Sequence, residues 1–293
     1  MADGVARGLL PGDLRAVVAV ATDAARDARR RHRLAPTSAA LLAQGLAGGA
    51  LLASLQKGDS RVNLQVECDG PLRGFFVDAG ANGEVRGYVK NPHVDLELGE
   101  GEFRWRGAMG NDGFLSVLRD IGAEYYRSSV QLRAMDLAKD LDHYFEVSDQ
   151  VPTHVALTLR RLPEEPLGVV AGALVQALPE GDRQALEAVG RSLQASLDAA
   201  VAAADAPTPE GLFSALFSAG QALTAYPVRF VCTCSKARAL ETLKSLGAAD
   251  VQRIVDTLGS TAVTCHFCGA KHEITLPDLL RILEDLGAGA PKD

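Results

Sequence analysis

Residues 230–269 read FVCTCSKARALETLKSLGAADVQRIVDTLGSTAVTCHFCG, and their four cysteines decide how the chain is divided. Cys232 and Cys234 form a C-x-C pair, Cys265 and Cys268 a C-x-x-C pair, and 30 residues lie between the pairs. Two short-spaced thiol pairs are the pattern of a tetrahedral Zn(II) site. Each pair makes one jaw, because so short a spacing lets both sulfurs turn to a common point. The insert only has to bring the jaws together. The spacing leaves three readings open: a purely structural zinc site, a zinc site whose thiolates also sense oxidants, and a thioredoxin-like disulfide exchanger. The last is the weakest, since no βαβ pattern surrounds Cys265 and Cys268.

The insert reads as helices. Ser235 can cap one through Leu240, Leu243 and Leu246, ended by Gly247. A second shows Val251, Ile254, Val255 and Leu258 on one face and stops at Gly259. Residues 261–264 and 271–275 flank the second cysteine pair as a hairpin knuckle, with Gly269 supplying the turn. A last helix begins near Pro277 and shows Leu279, Leu283 and Leu286. Residues 231–293 are therefore expected to form a small zinc module. They hold seven Lys and Arg against eight Asp and Glu, a poor balance for gripping phosphates.

Upstream, residues 183–205 place Leu186, Val189, Leu193, Leu197 and Val201 on one stripe of an amphipathic helix. After a Pro-Thr-Pro break at 207–209, Thr208 can cap a short helix with Pro209 at its first position. Residues 179–230 thus read as a helical linker without a core of its own, its apolar faces resting on something else. Residues 167–178 (LGVVAGALVQAL) read as another apolar helix.

Residues 1–178 read as an α+β core domain. A charged helix is expected over 13–33 and a buried one over 37–56. From Ala39 to Leu55 the polar side chains are Gln44 and Ser54 alone, which falls just short of a membrane span. Val62, Leu64 and Val66 alternate in a strand over 61–66, and further strands are expected over 72–77, 84–89, 114–119, 126–132 and 154–160. Cys68 reads as an inert cysteine at a strand end.

The chain has 293 residues, 47% apolar and 23% charged, with net charge −7. These values exclude a disordered chain, a disulfide-dense miniprotein and a general nucleic-acid binder. No secretory leader is legible, so a soluble, cytoplasmic protein with reduced thiols is expected. The sequence contains no G-x-S-x-G elbow, Walker loop, G-x-G-x-x-G or H-E-x-x-H motif. No enzyme activity and no use of ATP are therefore expected, and four thiolates leave His266 and His272 outside the ligand set.

At Cys232-Thr-Cys234-Ser235 and Cys265-His-Phe267-Cys268 the chain resembles the redox-regulated bacterial heat-shock holdase family named for its thirty-three-kilodalton mass. The likeness extends in order through Val66-Glu-Cys-Asp69-Gly70-Pro71-Leu72, Gly110-Asn-Asp-Gly113-Phe-Leu115, Tyr144-Phe145-x-x-Ser148-x-Gln150-x-Pro152-Thr153 and Ala171-Gly172-Ala-Leu174-Val-Gln176-Ala-Leu178-Pro179. It also takes in the buried helix to Leu55-Gln-Lys57-Gly58 and covers roughly residues 12–286. Two positions depart from the family: His272 stands where an aromatic residue is usual, and Gln44-Gly45 departs from a Leu-Gly-Arg run.

A 63-residue module has a core worth about 3–5 kcal/mol at best. Structural zinc contributes about 10–16 kcal/mol to such sites. Zinc also holds the sulfurs as thiolates, the form peroxide attacks, and a sulfenic acid can be captured by its near neighbour. The expected pairs are Cys232–Cys234 and Cys265–Cys268. The resemblance implies the rest. One Zn(II) per chain keeps the reduced form quiescent. Oxidation expels it, and the module and linker lose order. The active homodimer then holds unfolding client proteins without ATP. The competing expectation is a zinc-ribbon interaction module on an α+β domain, binding a partner protein or RNA with structural metal only. A disulfide isomerase or reductase is third.

Overall fold

The structure is a computed structural model and describes residues 3–96, 105–121, 124–162 and 165–287. It opens with strands β1 (Gly4–Leu10) and β2 (Leu14–Val20) and helices α1 (Thr22–His32) and α2 (Pro36–Ser54). Strands β3 (Arg61–Cys68), β4 (Gly74–Gly80) and β5 (Glu84–Val89) follow, then α3 (Trp105–Met109), β6 (Gly113–Ile121) and β7 (Glu124–Gln131). Helix α4 (Leu137–Tyr144) continues as a π turn (Phe145–Asp149) into β8 (Thr153–Leu162) and β9 (Glu165–Ala177). Helices α5 (Arg183–Ala203) and α6 (Pro209–Leu216) lead to β10 (Gln221–Pro227) and β11 (Arg229–Phe230). The remainder is α7 (Lys236–Lys244), α8 (Ala248–Leu258), β12 (Thr261–Thr264), β13 (Lys271–Ile274) and α9 (Leu276–Asp285).

The fold class is α+β. One sheet has the order β10-β1-β2-β9-β8, antiparallel throughout. The other has the order β11-β5-β4-β3-β6-β7, with β11 parallel to β5 and the rest antiparallel. Helix α2 packs against strands of both sheets and is buried from Thr37 to Ser54. That all-round burial explains its unbroken apolar sequence: it is long and apolar enough to cross a membrane, yet the two sheets cover it. Gly49 permits the approach, since a Cβ there would lie 2.6 Å from Cγ1 of Val77 on β4.

One expected helix is a strand, and another is a strand over its first part. The charged helix over 13–33 divides into β2 and α1, and the apolar helix over 167–178 is β9. Both strands are central in the five-stranded sheet, paired to each other from Leu14–Ala177 to Val20–Ala171. A strand covered on both faces has no polar side and so no alternation, and its apolar run matches a buried helix equally well. Strand β1 was not expected from the sequence. The stretch 179–230 is not helical throughout: β10 pairs with β1, and β11 with β5. Strand β3 extends to Cys68, and burial pushes that thiol up.

The face of the five-stranded sheet opposite α2 is covered by α5 and α6. Leu186, Leu193, Leu197 and Val201 of α5 and Leu212 and Phe213 of α6 pack on Ala6, Ala16, Val18, Ala171, Ala173 and Val175. Asp182 caps α5 by accepting the N–H groups of Gln184 and Ala185, and Thr208 caps α6 through Gly211. The chain divides into two compact units, Met1–Val231 and Cys232–Asp293, so α5 and α6 belong to the first. Residues 288–293, included in the module on sequence grounds, lie outside the described residues.

Candidate metal centre

The second unit brings its four cysteines to one point. Cys232, Thr233 and Cys234 lie in an irregular segment that ends where Ser235 caps α7 by accepting the N–H of Arg238. Arg238 returns the contact, its Nη1 donating to Oγ1 of Thr233 at 2.7 Å, which ties the first jaw to the helix. The second jaw is the turn of the β12–β13 hairpin. The N–H of Cys265 donates to the carbonyl of Ala270, and that of Gly269 to the carbonyl of Cys265, both at 2.9 Å. Gly269 holds φ at +72°, a left-handed conformation that glycine adopts without strain.

The four sulfurs lie within 4.8 Å of one another. Sγ of Cys232 is 3.7 Å from Sγ of Cys265, and Sγ of Cys234 is 3.4 Å from Sγ of Cys268. A disulfide needs about 2.05 Å, and all five cysteines of the chain are free thiols. A tetrahedron with metal–sulfur bonds of about 2.3 Å has edges of about 3.8 Å, so the cluster has the size of a ZnS4 site. Burial and the neighbouring thiols push Cys234 and Cys268 above the ordinary thiol range. Four thiolates crowded this closely need a cation, and four sulfur donors suit Zn(II).

The other histidines and charges take supporting places. His272 is not a fifth donor at the centre of the cluster; its Nε2 lies 3.4 Å from Sγ of Cys234. Nζ of Lys236 pairs with Oδ2 of Asp278 at 2.6 Å, joining the first residue of α7 to the start of α9. Asp278 also accepts from Thr275 in a capping box. Sequence reasoning missed the His272–Cys234 and Lys236–Asp278 contacts because each joins residues about forty positions apart. The T-x-x-D spacing at Thr275–Asp278 was the one local signal for the cap.

The core of this unit is small. Among the described residues its buried apolar side chains are Ala239, Leu243, Val251, Ile274, Leu279, Ile282 and Leu283.

A family model described as "Hsp33 protein" matches residues 3–275. The 33 kDa chaperonin of Geobacter sulfurreducens is 36% identical over 280 residues, which cover 94% of this chain and 93% of that protein. The 33 kDa chaperonin of a Cyanothece species is 36% identical over 305 aligned positions, covering 99% of each chain. The crystal structure of the 33 kDa chaperonin (heat shock protein 33 homolog) of Thermotoga maritima matches the fold with a TM-score of 0.82 at 24% identity, over 97% of this chain and 99% of that one.

Proposed function

The chain belongs to the Hsp33 family, and from that premise we propose that it is a redox-regulated, ATP-independent holdase chaperone of the reducing cytoplasm. Cys232, Cys234, Cys265 and Cys268 hold one Zn(II) per chain in the resting form. The observation that carries this reading is the four-sulfur cluster within 4.8 Å, set in a unit with so small an apolar core. The bound metal supplies positive charge that keeps the sulfurs ionised and staples the unit.

Oxidation turns the same sulfurs against the fold. Each disulfide joins two thiolates, passes two electrons to one peroxide and takes up two protons as the peroxide leaves as two waters. Two such steps give Cys232–Cys234 and Cys265–Cys268 and leave no thiolate to hold the metal. The short sulfur separations of 3.7 and 3.4 Å cross between the jaws, and the sequence neighbours become the nearer partners once the jaws part. The second unit then loses its order. Much of the sheet face beneath α5 and α6 is alanine, which buries little area per residue. Their release uncovers apolar surface, and the active homodimer holds unfolding client proteins on it. No catalytic step, nucleic acid, membrane or ATP enters this scheme.

The test is zinc content and client holding measured on the same protein. The reduced chain should carry one zinc and leave a heat-denatured client to aggregate. Peroxide at mild heat should release the zinc and suppress aggregation. Zinc retained after oxidation, or no holding in either form, overturns the reading. Cys232→Ser and Cys268→Ser should each abolish tight zinc binding.

A further inference from the structure

Strand β8 ends its sheet, so among the described residues one of its edges has no strand partner. Side chains close that edge instead. The N–H of Val155 donates to Oδ1 of Asp142 on α4 at 2.6 Å. Two residues on, the Gln194 carboxamide of α5 takes both backbone groups of Leu157: its Oε1 accepts the N–H at 3.3 Å and its Nε2 donates to the carbonyl at 3.2 Å. A carboxamide that accepts and donates in this way makes the pairing a peptide group of a further strand would make. Glu187 lies 3.5 Å from Nε2 of His154, and Nη1 of Arg160 donates to the carbonyl of Val201 at 2.7 Å. The contacts therefore advance by three residues on the strand (154, 157, 160) and by seven on the helix (187, 194, 201). Three strand residues span about 10 Å and seven helix residues about 10.5 Å, so α5 lies in register along the edge. Gly190 lets it lie close, since a Cβ there would fall 2.2 Å from the His154 ring.

We propose that the β8 edge, with the sheet face beneath α5, is a strand-addition site for an extended segment of a non-native polypeptide, and that α5 is its resident plug. The inference rests on the holdase reading and names the recognition surface within it. When α5 lifts, the edge offers the peptide N–H and C=O groups of Leu157, while the N–H of Val155 stays with Asp142 of α4; such backbone groups are indifferent to client sequence. Alternate side chains of the added segment fall on the apolar face around Ala156, Ala173 and Val175. A segment with apolar residues at every second position fits; a folded protein, whose backbone groups are already paired, does not.

The probe is a short fluorescein-labelled peptide of alternating Val and Thr flanked by lysines, with two forms N-methylated at alternate residues, each blocking one edge. Gly190→Val wedges α5 away without oxidant, and Gln194→Leu removes the mimicking amide should the first variant fail to fold. In the reduced full-length chain either variant should speed amide exchange at Leu157 and bind the peptide. Binding should restore protection at Leu157, and the form methylated on the facing edge should lose about tenfold in affinity, the worth of about one backbone pair. Equal binding of all three peptides, or no change in Leu157 exchange in either variant, overturns the proposal. If peroxide-treated wild type holds no client while the variants still bind the peptide, the holdase reading falls and the strand-addition site stands.

Discussion

Nε2 of His272 lies 3.4 Å from Sγ of Cys234, on the strand that leaves the knuckle. His272 and Ile274 share the inward face of β13 while Lys271 and Glu273 point out, so strand alternation fixes the histidine against the sulfur. A ring N–H donated to a thiolate draws charge from it and shields it from oxidants. His272→Phe should retain four ligands and one zinc, with metal affinity lowered by about tenfold. Peroxide should release that zinc faster than from the wild type, read as the rate of colour formation with a zinc-binding dye. An unchanged rate would remove His272 from the control of the switch.

The Asp278 carboxyl is held well below the usual carboxylate range, first by Lys236 and then by Thr275. A depressed folded-state value means that the unfolded chain binds the proton more readily. The stabilisation is therefore complete above the ordinary carboxylate value and is lost as pH falls through the folded value. Melting of the second unit followed by circular dichroism should fall with acid in this window. Asp278→Asn should flatten that dependence while lowering the melting temperature near neutral pH.

Asp3 behaves in the opposite way. Its Oδ2 accepts the N–H of Ala24 at 2.8 Å at the start of α1, while burial raises its value from 3.8 to about 6. Here the folded chain holds the proton more tightly, so stability rises as pH falls from about 6 to about 4, and the ionised group opposes folding at neutral pH. Asp3→Asn keeps an acceptor and removes the charge. It should stabilise the chain by about 2 kcal/mol at neutral pH, with the gain vanishing below pH ~4, in urea unfolding at paired pH values.

Gly49→Ala sets two known effects against each other. Alanine in a helix is favoured over glycine by about 1 kcal/mol. The added Cβ meets Cγ1 of Val77 at 2.6 Å, and Val77 is fully buried in β4. Overpacking of this kind costs about 1–3 kcal/mol, so a net loss of up to about 2 kcal/mol is expected in urea unfolding. A gain in stability would mean that α2 can shift away from the sheet.

Local chemistry was legible from the residues alone. The caps at Ser235 and Thr208, the stop at Gly259 and the alternation of β3 each depend on neighbours a few positions apart. The two cysteine pairs were legible for the same reason, since each jaw is a short turn. Strands β2 and β9 were not. Their pairing joins residues such as Val17 and Leu174, and burial on both faces erased the period that marks a strand. Contacts across long separations, His272 on Cys234 and Gln194 on Leu157, have no local signature either. Pattern in the chain records which side chains must be covered; which element covers them depends on packing between distant segments, and here that packing put a helix along an edge where a strand would fit.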